Sequence, residues 1–267
     1  MTAGPLAGSD LYDDPAFFGR YQRLRAADAG LNDELEQPAL ARLLPPVRGA
    51  RVIDLGCGEG ALARRLAEAG ARRVLAVDGS ARMLARAARH PHPRVRYQRG
   101  DLETLSQPAA SADCVVSSLA LHYVRDYRGL VGRVARWLRP GGQFVFSMEH
   151  PVCTAANPMT GWLTVGGATV WPVDDYADEA GRAQEWLGRG VLKYHRRLAT
   201  VIGAILDAGL AVTGLEEPWP GDEAVARRPD LAQHRWRPPL LLVAAGKAAR
   251  PDRAAEASGG RPGRDGR

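Results

Sequence analysis

Val52-Ile-Asp-Leu-Gly-Cys-Gly-Glu-Gly60 is the stretch whose reading decides the fold. Residues 51–55 are a short apolar run that ends in a cluster of glycines, the pattern of a buried strand meeting a tight turn. Residues 61–70 then place Leu62, Leu66 and Ala69 on one helical face, with Gly70 as the stop. The alternation continues through strand 74–77, helix 80–90, strand 95–98, strand 113–117, helix 127–138 and strand 143–147. It lapses over 149–192 and resumes as helix 194–208, strand 211–215 and strand 239–245. Strands and helices alternating with short connections predict an α/β fold, a doubly wound, mostly parallel sheet of seven strands with helices on both faces.

Upstream of the glycine turn the text is helical but broken. Aromatics Tyr12, Phe17, Phe18 and Tyr21 lead to a second stretch that Pro45-Pro46 stops. A chain of 267 residues with 45% hydrophobic content can bury one sizeable core. The expected organisation is therefore one domain over 1–249. It has a helical cap at 11–44, an alternating strand–helix core at 50–147 and, at 149–192, a long irregular segment of the kind a compact domain keeps for function. The Gly/Pro/Arg-rich residues 250–267 read as a disordered tail.

Composition excludes several classes. Cys57, Cys114 and Cys153 are far apart, with no C-x-x-C pair and no metal-ligand spacing, so no metal is expected and a reducing cytoplasm fits. The first ten residues lack the pattern of a signal peptide. The longest clean apolar run, Leu240 to Ala245, is far too short to span a bilayer, so a soluble protein with no membrane partner is expected. The net charge of +6 invites a nucleic-acid reading, but the tail alone carries five Arg against three acids. The remaining Arg residues are scattered through helical text, as on a solvated face. No nucleic-acid partner is expected on this count.

Asp54-x-Gly56-x-Gly58-x-Gly60 carries the chemistry. Glycine permits the dihedrals of a tight turn and lets a ligand lie against bare backbone. In open α/β sheets ligands bind outside the carboxyl ends of the strands, near helix N-termini. The spacing alone does not name the ligand, because Gly56-x-Gly58-x-x-Ala61 with Asp78 about 20 residues on also satisfies a dinucleotide fingerprint. Two acids argue against that alternative. Asp54 precedes the first glycine, where it would repel a pyrophosphate and welcome a cation, and Asp101 follows the third strand.

With these residues in place the chain resembles the class I S-adenosylmethionine-dependent methyltransferases, particularly the methyltransferase type 11 group. Val52 to Gly60 is similar to their first motif, Val77-Asp-Gly-Ser80 to the second and Gly100-Asp-Leu-Glu103 to the third. Asp113 to Val124 matches the fourth and Leu138-Arg-Pro-Gly-Gly142 the fifth. The resemblance implies a Rossmann-like sheet and S-adenosyl-L-methionine as cofactor. It implies that Asp54, Gly56, Cys57 and Gly58 receive the methionine moiety, and that Asp78 and Gly79 receive the ribose. Asp101 would bond the adenine, Met83 and Leu102 would pack on its faces, and Ser118 and Leu119 would border the sulfonium. Tyr21 and Arg25 come from a helix that folds over the cofactor in many relatives. Tyr21 could face the sulfonium by cation–π attraction.

The donor is already activated, so the protein's part is positioning and exclusion of water, with a base where the acceptor is a hydroxyl or protonated amine. Candidate catalytic groups are His122, His150 and His195. Glu149-His-Pro151, Tyr194-His-Arg196 and Glu217-Pro218 recur together in some type 11 relatives, a resemblance that supports a shared acceptor wall. Trp162, Trp171 and Trp186 give the 149–192 segment rigid apolar surface for a ring-bearing or largely apolar acceptor. The fourth motif reads Ser117-Ser-Leu-Ala120 without Asn/Asp-Pro-Pro-Tyr, which disfavours methylation of nucleobase amino groups. The expected partner is a small-molecule acceptor, met by a monomer or homodimer. An RNA or protein methyltransferase on the same core is the alternative.

Overall fold

The computed structural model describes residues 4–6, 8–26 and 31–249; the tail expected over 250–267 lies outside them. Two short helices open the fold, α1 (Gly8–Asp13) and α2 (Pro15–Ala26). A π-helical turn, Asn32–Glu36, runs directly into α3 (Gln37–Leu43). Pro38, the second residue of α3, has no N–H to continue the ladder, and the π-helical turn lies directly before it. Leu44 turns to an extended conformation ahead of Pro45-Pro46, and the helical cap ends there.

β1 (Arg51–Leu55), α4 (Ala61–Glu68), β2 (Arg73–Asp78), α5 (Ala81–Ala87), β3 (Val95–Arg99) and β4 (Ala112–Ser117) follow. α6 (Tyr127–Trp137) leads into β5 (Leu138–Glu149). Each helix starts where its residues dictate. Gly60, at φ +76°, turns the chain into α4, the Ser80 hydroxyl caps α5 by accepting from Met83 N, and Asp126 caps α6 by accepting from Gly129 N. β5 is longer than its apolar text, because its span begins at Leu138, but residues 139–142 loop out of the ladder: Gly141 has φ +76°, and the pairing with β4 passes from Ala112–Leu138 to Cys114–Gln143.

Beyond β5 the chain departs from the α/β alternation. A short helix α7 (Pro151–Thr154) precedes two antiparallel hairpins, β6 (Leu163–Val165) with β7 (Ala168–Val170) and β8 (Gly181–Trp186) with β9 (Arg189–Tyr194). The late helix does not start at Tyr194. Tyr194 pairs with Gly181 at the end of β9, and α8 (Leu198–Asp207) begins only after the extended Arg197. β10 (Leu210–Glu216), α9 (Asp222–Arg227) and β11 (Leu240–Lys247) complete the described fold.

The seven-stranded sheet runs β10-β11-β5-β4-β1-β2-β3. β1 lies parallel to β2 and to β4, with Ile53 opposite Leu75 on one side and Val115 on the other. β11 is antiparallel to both of its neighbours, β5 and β10. This is the mostly parallel, Rossmann-like sheet that the alternation predicts. Strand alternation sends Leu55, Val115, Phe144 and Phe146 to one face, under Tyr127, Val134 and Trp137 of α6. It sends Val52, Cys114, Val116 and Val145 to the other, under Leu62, Ala63 and Leu66 of α4 and Leu40 of α3. Each such large apolar side chain contributes about 1.5–3 kcal/mol by leaving water.

A smaller cluster closes the top. Leu11, Phe17 and Val191 are buried together, with Tyr12, Tyr21, Tyr123 and Trp186 around them. Leu6 reinforces it by bridging to β9, its amide donating to Gly190 O at 2.9 Å and its carbonyl accepting from Leu192 N at 2.8 Å. The first helices and the β8–β9 hairpin thereby form a roof over the carboxyl ends of β1, β4 and β5. Chain order reverses between β1 and β4, which is where an open sheet of this kind leaves a crevice.

Candidate active site

The glycine turn after β1 is built for close approach. Gly56, Gly58 and Gly60 have φ of +72°, +53° and +76°. A Cβ on Gly56 would collide with the Ala120 Cβ, and one on Gly60 would lie 2.5 Å from the Tyr97 ring. The amides of Gly56 and Cys57 both donate to Val77 O, tying this turn to the end of β2. There Asp78 Oδ2 accepts from Gly58 N and Oδ1 from Ser80 N, each at 2.8 Å, so one carboxylate staples the two turns together.

Asp54 is different. It is 1% exposed, and neither carboxylate oxygen has a hydrogen-bond partner among the described residues. Burial, and then the charges of Asp78 and Glu36, push its carboxyl up to about 7. Burial also raises Asp78, against the amides of Ser80 and Gly58. Glu36, which nothing in the sequence singled out, joins this acidic group from the end of the π-helical turn. It is fully buried, accepts from Ser147 Oγ at 2.7 Å and Ser118 Oγ at 2.9 Å, and is raised by that burial. The relay extends to the backbone, since Leu119 N donates to Ser147 Oγ at 2.9 Å. Leu119 itself is held at φ +51°, a strained conformation for a leucine, at the mouth of β4.

All thirteen residues expected to receive the cofactor line one cavity of about 660 Å³, and His122 lines it with them. His150 and His195 do not. His150 caps α7, accepting from Val152 N at Nδ1, and its Nε2 lies 2.7 Å from Glu217 Oε1. His195 is 1% exposed, with Nδ1 2.8 Å from Thr154 Oγ1 and Nε2 3.1 Å from Tyr176 O. Both imidazoles have both ring nitrogens engaged in local structure.

Comparison with known proteins decides the family. A methyltransferase-domain model matches residues 52–142. An uncharacterised protein of Haemophilus influenzae is 30% identical over 246 residues, covering 89% of this chain and 96% of that one. The crystal structure of an S-adenosylmethionine-dependent methyltransferase from Mesorhizobium loti shares 44% identity at a TM-score of 0.76, over 82% of this chain and 100% of its own. The chain belongs to the S-adenosylmethionine-dependent methyltransferases. A trans-aconitate 2-methyltransferase from Deinococcus radiodurans is also similar, 39% identical over 113 residues, 42% of each chain.

The cofactor of this methyltransferase is S-adenosylmethionine, and its residues suit that group. An unpaired buried carboxylate on the cavity wall calls for a cation. Beside it the Gly58 backbone lies open, since a Cβ there would meet only Met83 Sδ, at 4.0 Å. The rest of the methyltransferase cavity joins His122, Glu149, Trp171 and Trp186, which the sequence offered, to Lys193, Gln184, Tyr12 and Tyr123, whose place at the site it did not give. Glu149, at the end of β5, meets Lys193 of β9, with Nζ 2.5 Å from Oε1, and Lys193 also donates to Gln184 Oε1 at 2.7 Å. Although burial opposes it, Lys193 and then His122 hold Glu149 below the usual carboxylate range. Burial pushes His122 down to about 4. Its Nδ1 accepts from Glu149 N at 3.4 Å, which leaves the proton of the neutral ring on Nε2. Tyr12 and Tyr123, with hydroxyls 3.4 Å apart, complete the wall beneath the roof. The 149–192 segment thus contributes Glu149, Trp171, Gln184 and Trp186, Lys193 follows directly on it, and Tyr12 comes from the other end of the chain. Among the described residues no group of three His, Cys, Asp or Glu could hold a metal, and no helix is long and apolar enough to cross a membrane.

Proposed function

We propose that this methyltransferase acts on a small-molecule acceptor bound at the Glu149–Lys193 end of the cavity that also receives the cofactor. One observation carries the reading: the acidic turn residues and the His122, Lys193 and Trp171 wall line the same roofed cavity. At about 660 Å³ it lies within the range of about 300–1,000 Å³ usual for small-molecule sites, and it must hold donor and acceptor together.

In this reading Asp54 and the Gly56–Gly58 backbone receive the methionine part, Asp78 and Gly79 the ribose, and Asp101 the adenine, between Met83 and Leu102. Ser118, Leu119 and Tyr21 border the sulfur, and Arg25 closes the outer edge. S-adenosylmethionine, when bound, supplies an activated methyl group on a positively charged sulfur. The protein's work is then to hold a nucleophile in line and to keep water out. His122 presents Nε2–H as an orienting donor to the acceptor. The ionised Glu149, paired with Lys193, offers the acceptor a hydrogen-bond acceptor rather than a strong base, since it is held below the usual carboxylate range. His150 and His195 support this wall by holding α7 and the β9–α8 connection through their hydrogen bonds.

The test is transfer from methyl-labelled cofactor into a cell extract separated by ultrafiltration. Label should enter the low-mass filtrate and be traceable to a product by mass. Label appearing only in the RNA or protein fraction, and falling steeply with added salt in the RNA case, would reverse the reading in favour of a macromolecular acceptor.

A further inference from the structure

The acceptor end of the cavity carries a positive charge that no protein group answers. Lys193 is neutralised by Glu149 and shared with Gln184. His122 and His234, both on the cavity wall, are pushed down to about 4, in each case first by burial, and are uncharged near neutrality. Arg237 remains, in the loop before β11. Burial lowers its pKa, but a guanidinium stays protonated in proteins.

Its surroundings orient it without satisfying it. The guanidinium carbon lies 3.7 Å from the centre of the Trp171 ring and 5.3 Å from that of Trp162. Trp171 is itself fixed, its Nε1 donating to Val152 O at 2.8 Å. The close Trp171 ring covers one side of the guanidinium, and its N–H donors point away from that ring to be met elsewhere. Among the described residues that edge finds Cys153 Sγ, 2.7 Å from Nη1, and Nε is buried with no partner. A thiol sulfur is a weak acceptor. No ion pair joins Arg237 to a carboxylate among the described residues; Glu149, the acid that acts on it electrostatically, is committed to Lys193. Leaving the one charged Nε–H buried and unanswered costs more than the same loss at a neutral group. A stacked, immobilised guanidinium facing a ligand cavity is the arrangement that recognises a planar oxyanion with two parallel hydrogen bonds.

We infer that Arg237 binds a carboxylate carried by the acceptor. This rests on the reading of the cavity as the acceptor site and narrows it to small carboxylic acids. The cavity then has opposite polarity at its two ends: acids where the cationic donor binds, and an unpaired guanidinium where the acceptor's anionic group docks.

Benzoate and its uncharged isostere benzamide are suitable probes. Each is titrated calorimetrically, at constant ionic strength, into the protein saturated with S-adenosylhomocysteine. Benzoate should bind at least tenfold more tightly than benzamide. Arg237→Gln should abolish that preference and Arg237→Lys should retain part of it, with both variants binding S-adenosylhomocysteine within twofold of wild type. Equal affinity for the two probes, binding of neither, or a preference that survives in Arg237→Gln overturns the assignment. Failure of wild type to bind S-adenosylhomocysteine is a separate result, which overturns the underlying site along with it.

Discussion

Binding of S-adenosylhomocysteine at pH 6 should release close to one proton, with Asp54 as its source. The Asp54 carboxyl is buried, unpaired and pushed up to about 7, first by burial and then by Asp78 and Glu36. At pH 6 such a group is about 90% protonated, and at pH 8 about 10%. An ammonium brought beside it restores the ionised form, so binding should expel about 0.9 proton at pH 6 and about 0.1 at pH 8. Calorimetric titrations in buffers of different ionisation enthalpy read this number directly. Affinity should rise with pH up to about 7 and then level off. The same group shapes the stability of the ligand-free protein. Below about pH 4 it is protonated folded or unfolded and has no effect. Between there and about pH 7 the unfolded chain loses its proton first, so stability falls as pH rises; above about 7 the loss is complete. Moving the carboxyl from 3.8 to about 7 corresponds to about 4 kcal/mol. Asp54→Asn removes that cost but leaves a buried amide short of partners, at about 1–3 kcal/mol. The variant should therefore be about 1–3 kcal/mol more stable than wild type at pH 8 in denaturant titrations, release no proton, and bind the ligand at least tenfold more weakly. No proton released by wild type at pH 6, or a variant less stable than wild type at pH 8, refutes the reasoning.

Two further substitutions separate the turn from the histidines. Gly56→Ala drives a methyl into the Ala120 Cβ from a backbone at φ +72°; it should cost at least about 2 kcal/mol in denaturant titrations and abolish S-adenosylhomocysteine binding measured by calorimetry. His150→Ala removes the cap of α7 and the contact with Glu217; the melting temperature should fall by about 2–6 °C with S-adenosylhomocysteine affinity unchanged within twofold, and a tenfold loss of affinity would mean that the ring reaches the cavity after all.

The glycine-turn end of the cavity was legible because its residues are local. Asp54 to Gly60, Asp78-Gly79 and Asp101-Leu102 each sit at the end of a strand, so the topology that brings those strand ends together brings the residues with them. The Glu149–Lys193 end was legible only in part, through His122, Trp171 and Trp186. Glu149 and Lys193 are 44 residues apart, and Arg237 reaches the Trp171 ring from a loop after α9. His150 and His195 read as catalytic for the same reason: each lies at the correct end of the sheet, but the direction of its side chain depends on Glu217, Thr154 and Tyr176, whose positions no spacing reveals. Glu36 carried no signal at all, being one acid among several in helical text until Ser118 and Ser147 close on it.

By itself the order of residues determined the sheet, the glycine turn and the acids Asp54, Asp78 and Asp101 at the strand ends. Hydrophobic period and glycine punctuation are properties of neighbours along the chain, and parallel strands with short crossovers admit few arrangements. Tertiary structure alone decided which charges at the Glu149–Lys193 end are neutralised and which stay open. That outcome depends on distances of a few ångströms between groups far apart in the chain, where pairing with Glu149 silences Lys193 and the lack of any such partner leaves Arg237 open to a ligand.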